Sequence, residues 1–226
     1  MSLIVCDSSS LISLSDTCNI DVLRFLRQHG GKFVIPPAVE EEIIKHPAQL
    51  KQYAFSAVRL RKLVEDGVVL TQAPPRLASE KQAIENAANS AVRVDGKPLR
   101  LIHAGEAECL ALLRIAPQDA QKTLLVDEKT TRLLIESPKT LVERLRGEYK
   151  TSVEIDEAAM RAFKTGLEKI TVIRSTELIA VAASLGFFAD YGTAAQDATH
   201  TALGALQLAG CSVSSDELRE YNTVLK

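Results

Sequence analysis

The chain has 226 residues, 46% of them hydrophobic and 25% charged, with a formal net charge of −2. That length suits one large domain, or a domain with a sizeable insertion, and supplies enough chain for a hydrophobic core. The composition excludes a disordered or membrane-embedded polypeptide. Trp is absent and aromatics are 4%, so stacking platforms for single-stranded bases are scarce, and the mild acidity excludes a general nucleic-acid coat while leaving room for a local basic rim.

Four cysteines, Cys6, Cys18, Cys109 and Cys211, are scattered with no pair at metal or redox spacing. Cys6 and Cys109 fall in apolar runs and are expected in the core as reduced thiols. No basic-then-apolar leader precedes the first strand and no apolar run approaches spanning length. The expectation is a cytoplasmic protein with no membrane anchor.

Leu3-Ile4-Val5-Cys6 reads as a strand buried on both faces, as in the middle of a parallel sheet. It ends on Asp7, and Ser8-Ser9-Ser10 leads into a helix beginning at Leu11. A carboxylate at the carboxyl end of a central parallel strand stands where open α/β sheets place their ligands; the alternative is an Asp that only caps the next helix. A short helix over 21–28 closes on His29-Gly30-Gly31, and Lys32-Phe33-Val34-Ile35 is the second strand. Pro36-Pro37 opens a helix over 38–45, which Pro47 stops. Residues 48–65 read as a longer helix, 68–71 as a third strand, and Ser79 with Gln82 as the capping box of a helix reaching Val92. Asp95-Gly96-Lys97-Pro98 is a polar turn. A helix spans 101–113, and Thr123-Leu124-Leu125-Val126 is a fourth buried strand ending on Asp127-Glu128, repeating the opening pattern. Residues 130–166 read as a helical block broken near Pro138 and Gly147; a strand over 169–173 and a helix from Ser175 to 183 follow. The small-residue stretch 193–209 suits close helix packing, and a last helix spans 215–221. Alternating strands and helices point to a layered α/β domain with a parallel sheet.

Acid is concentrated at Asp7, Glu40–Glu42, Glu106 with Glu108, and Asp127 with Glu128. Each helical residue advances about 100°. After Pro37, therefore, Glu40 and Glu42 flank the buried Val39/Ile43 stripe while Glu41 points away. Such a run is also what a solvated, dipole-favoured helix start contains. Glu106 falls on the side of Cys109, Leu110 and Leu113, and Glu108 points largely outward. A glutamate on an apolar face is costly unless something positive meets it. An ion pair would serve, and so would a metal ion shared with Asp7 and Asp127. Carboxylate oxygens suit Mg²⁺ or Mn²⁺, which activate water and neutralise charge on a phosphodiester. No Ser–His or Cys–His partnership stands out, and His103 reads as an exposed helix-start residue. Metal-dependent hydrolysis is favoured over covalent catalysis.

Val5-Cys6-Asp7-Ser8-Ser9-Ser10-Leu11-Ile12, Val34-Ile35-Pro36-Pro37-Ala38-Val39 with Glu42-Ile43, Gly105-Glu106-Ala107-Glu108 with Leu110-Ala111-Leu112, and Leu124-Leu125-Val126-Asp127-Glu128-Lys129 resemble, in order and spacing, the successive motifs of PIN-domain nucleases. The resemblance covers roughly residues 1–132, with a weaker echo at 172–186. It implies a three-layer α/β/α sandwich around a mostly parallel sheet. The domain would span 1–190 with a helical insertion near 130–166, and a helical extension over 191–226 would pack on it. It implies Mg²⁺- or Mn²⁺-dependent cleavage of RNA, as in toxin nucleases of toxin–antitoxin pairs and in RNA-processing enzymes. The matching catalytic positions are Asp7, Glu42, Glu106 and Asp127. Asp7, Glu106 and Asp127 would hold metal, with Glu128 as an extra ligand, and Glu42 would orient the attacking water or support a ligand from behind. Ser9, Lys129 and Arg132 would meet the substrate, the last two at the RNA backbone. An antitoxin-like protein inhibitor and a homodimer are the partners that follow. Two departures stand out: Glu128 replaces an aspartate common in relatives, and the helices of 130–166 and beyond 186 exceed a minimal toxin nuclease.

Two other readings fit parts of the pattern. A catalytically silent PIN-like module would bind RNA or protein without cleaving. An aspartyl phosphatase or phosphotransferase would use Asp7 as nucleophile, but such enzymes want a second acid two residues on, where this chain has Ser9.

Overall fold

The structure, a computed structural model, describes residues 2–45, 54–117 and 119–224. Strand β1 (Ser2–Cys6) leads into α1 (Ser8–Asp16) and α2 (Val22–Gln28), then β2 (Lys32–Ile35) and α3 (Pro37–Glu40). A π-helical stretch, Glu41–Lys45, follows directly. Next come α4 (Ala54–Glu65), β3 (Val69–Thr71), α5 (Leu77–Ala88), the hairpin β4 (Val92–Val94) and β5 (Lys97–Pro98), α6 (Ala104–Ile115) and β6 (Gln121–Leu125). The remainder is α7 (Lys129–Glu136), α8 (Pro138–Tyr149), β7 (Val153–Ile155), α9 (Glu157–Lys164), β8 (Thr171–Ile173), α10 (Ser175–Ser184), a 3₁₀ turn at Ala189–Ala194, α11 (Ala195–Leu208) and α12 (Ser215–Val224).

Among the described residues the main sheet runs β3-β2-β1-β6-β8, with every pair parallel. Parallel strands must be covered on both faces, which is why Ile4-Val5-Cys6, Phe33-Val34-Ile35 and Leu124-Leu125-Val126 are continuous apolar runs rather than alternating ones. Val5 pairs with Val34 on one side and Leu124 on the other, and all three are buried. On one face α6 lies against β1 and β6 and packs on α5, which packs on α9; on the other, α1 packs on α4 and α10, and α10 on α2. The result is a three-layer α/β/α sandwich. Winding proceeds outward from β1 through β2 to β3, then reverses to β6 and β8. The switch point therefore lies between the carboxyl ends of β1 and β6, where such sheets leave a crevice.

A second sheet, β5-β4-β7, is antiparallel. It corrects two expectations. The helix expected to reach Val92 stops at Ala88 and the chain enters β4, while the block expected as helical over 130–166 contains β7 between α8 and α9. Strand β7 pairs with β4 (Val92↔Ile155), so residues 130–166 are joined to the stretch around Val92 by backbone hydrogen bonds as well as by packing. The first part of the helix expected over 48–65 lies outside the described residues; the rest is α4. α11 packs on α10, and α12 on α11.

Candidate active site

Asp7 follows β1 directly, and its N–H donates to the Leu125 carbonyl at 2.9 Å, extending the β1–β6 pairing to the strand ends. The backbone then turns and the carboxylate caps α1. Its Oδ2 accepts from the Ser9 N–H at 3.1 Å and the Ser9 hydroxyl at 2.6 Å. Both readings of this residue, cap and site acid, are therefore compatible, because the cap uses one oxygen. The other, Oδ1, is buried with no hydrogen-bond partner. Burial, and next the neighbouring Glu106 charge, push the Asp7 carboxyl up to about 6.

Ser9 links the two strand ends: its hydroxyl donates to Asp7 and accepts from the Asp127 N–H at 3.2 Å. Asp127, one residue beyond the strand-like Val126, is equally buried. Both of its oxygens are engaged by one residue, Ser175, whose N–H reaches Oδ1 and whose hydroxyl reaches Oδ2, each at 2.7 Å. Ser175 opens α10, so the carboxylate is held at the N-terminus of that helix.

Glu106 stands in the first turn of α6, where Oε2 accepts from the His103 N–H at 3.0 Å. A backbone donor thus meets part of the cost of a half-buried glutamate. Glu42 comes from the π-helical stretch, whose wider turn lets both Ile43 and Ile44 bury while Glu42 turns toward α6. Its carboxylate lies against Gly105: a Cβ there would stand 2.9 Å and 3.0 Å from its two oxygens. Asp7, Glu106 and Glu42 all act on the buried Cys109 thiol, which burial above all holds well above its ordinary range. Asp7, Glu106, Glu42 and Asp127 are therefore brought to the same end of the sheet.

The other predicted residues have different surroundings. Glu108, expected to point outward, accepts from the Ala38 N–H at 2.9 Å and caps α3. Glu128 caps α7 through the Thr131 N–H at 2.6 Å, leaving one oxygen outside that bond. Lys129 is exposed beside the strand end. Arg132 is turned toward the C-terminal segment, donating to the Ser212 carbonyl at 3.3 Å and standing 3.6 Å from Glu136.

A model of the family DUF3368, described as a PIN domain, matches residues 3–139, more than half of the chain. The chain is a PIN-domain protein. Neither the curated proteins nor the solved structures contain a match to it. PIN domains are in general nucleases, and this PIN domain has that nuclease-like fold. Among its described residues no single helix is long and apolar enough to cross a membrane.

PIN domains typically use divalent metal ions, and the unpartnered Asp7 Oδ1 beside Glu106 fits such an ion. Among the described residues no three Asp, Glu, His or Cys side chains converge closely enough to form a site by themselves. The sequence marks Ser175 as the start of a helix and gives no sign of its hold on Asp127. Nor does it show why glycine stands at position 105. The only signal for Ser175 was its position after an apolar run, and the Glu42 contact that requires Gly105 is made from another part of the chain.

Proposed function

We propose that this PIN domain is a metal-dependent endoribonuclease whose Mg²⁺ or Mn²⁺ is held by Asp7 and Glu106. The observation that carries the reading is the buried Asp7 Oδ1, an anionic oxygen at the switch point with no donor of its own. Bound there, the cation would lower the pKa of a water and neutralise charge building on the phosphodiester. Ser9 holds Asp7 in place through Oδ2 and aligns Asp127 behind it. Asp127, whose two oxygens each accept one bond from Ser175 and keep a further lone pair, stands behind it as an additional ligand. Glu42, set against the first turn of α6, accepts the proton of the attacking water as that water's oxygen bonds to phosphorus. One P–O ester bond breaks, and its oxygen leaves as an alcohol after taking a proton from solvent water, while Glu42 returns its own proton to solvent. Lys129 meets a backbone phosphate, and Glu128 contributes its remaining oxygen. A protein inhibitor of the kind that accompanies toxin nucleases, and a homodimer, belong to the same reading.

The engagement of Asp127 by Ser175 also favours a second reading, a silent PIN-like module that binds RNA or protein. Incubating the protein with labelled structured RNAs and Mn²⁺, beside Asp7→Asn, separates the two. Cleavage by wild type that stops on chelation and in the variant supports the nuclease; no cleavage from folded protein across several RNAs supports the binding module.

A further inference from the structure

The C-terminal segment lies beyond the family-matched residues, yet it reaches the end of the sheet that carries Asp127. Arg174, immediately before α10, is almost fully buried, and its guanidinium is shared among three groups. Its Nη1 donates to the Ser212 carbonyl at 2.7 Å and to Glu217 at 2.9 Å, while Nε reaches Glu177 at 2.9 Å. The Arg174 N–H also donates to Glu177 at 2.7 Å, and the Tyr221 hydroxyl donates to the same carboxylate at 2.6 Å. Cys211 completes the contact: its thiol is buried 3.9 Å from the Thr176 hydroxyl, and burial, then the Asp127 charge, push it up to about 11.

We propose that the segment from Cys211 to Tyr221 is a positioning clamp for Asp127, acting through Arg174 and Glu177 on the first turn of α10. The first N–H groups of a helix have no intrahelical partner. Ser175 spends its N–H on Asp127 alone, so the geometry of that bond depends on where the first turn sits. Ser212, Glu217 and Tyr221 hold that turn from outside through a charge-assisted network. What the clamp serves rests on the nuclease reading, but the clamp itself can be tested without metal or RNA.

The test compares full-length wild type with a Glu217→Gln/Tyr221→Phe double variant, following amide hydrogen exchange by NMR. Both substitutions keep size and shape, so the fold survives. The clamp predicts Ser175 exchange at least tenfold faster in the variant, with the β1 amides of Ile4 and Val5 unchanged. A segment that merely adds stability would leave Ser175 as protected as in wild type, or release it only in step with β1; either result overturns the proposal. Failure of the nuclease reading registers separately, as wild type that cleaves no RNA.

Discussion

Replacing Asp7 by Asn separates the cost of the site from its use. The buried Asp7 carboxyl is raised from its ordinary 3.8 to about 6 by burial and by Glu106. For an acid the sign is fixed. The folded state disfavours the charged form, so the penalty is absent below pH 3.8, grows between there and pH 6, and is complete above pH 6. At about 1.4 kcal/mol per pH unit, that penalty is about 3 kcal/mol at neutral pH. Asn caps a helix as well as Asp, so the bonds from Ser9 are retained. Its amide group needs an acceptor where Oδ1 has no partner, which makes about 3 kcal/mol a ceiling. In metal-free buffer at pH 7.5 the variant should melt several degrees above wild type, since about 1 kcal/mol shifts a domain of this size by about 2–4 °C. The gap should close near pH 4, and saturating Mn²⁺ should raise wild type alone. Thermal unfolding followed by circular dichroism across pH 4 to 8 measures all three. A variant less stable than wild type at pH 7.5, or a gap that ignores pH, would refute the electrostatic reasoning.

Gly105→Ala places a methyl group against the Glu42 carboxylate. Glu42 can swing away and Ala favours helix by about 1 kcal/mol, so melting should hold or rise while RNA cleavage falls at least tenfold. Ser175→Ala leaves the buried Asp127 Oδ2 without its donor; urea unfolding should register a loss of about 1–3 kcal/mol. Glu177 is raised by burial but held down at about 2 by its hydrogen bonds from Arg174 and Tyr221. Its contribution is present above pH 4.5 and lost as pH falls toward 2, and solvent screening of its partly exposed carboxylate cuts the full value of about 3 kcal/mol, so Glu177→Gln should cost about 2 kcal/mol at pH 6 and almost nothing near pH 2 by denaturant titration.

The central strands and their terminal acids are legible in the sequence because burial on both faces writes itself as an uninterrupted apolar run. β1 and β6 each end on an Asp, and that repetition locates the crevice. The small sheet left no such trace: β4, β5 and β7 have three, two and three residues, too few for alternation to register, and β4's second partner, β7, lies far along the chain. The same distance hid the site's supports. Ser175 meets Asp127 across 48 residues and Ala38 meets Glu108 across 70, so neither pairing has a local signature. Glu106 was placed by its apolar helix face, and the His103 N–H that meets its Oε2 is part of a local capping box that the same stretch of chain supplies. The π-helical turn also breaks the 100° step by which Glu42 was placed, yet Glu42 still arrives at α6 because Gly105 leaves room for it.

Titrating Mn²⁺ calorimetrically into wild type, Asp7→Asn and Glu106→Gln tests the metal centre most directly. The account predicts binding by wild type and at least tenfold weaker binding by each variant, with all three folded. Equal binding by the three proteins, or none by wild type, would contradict it.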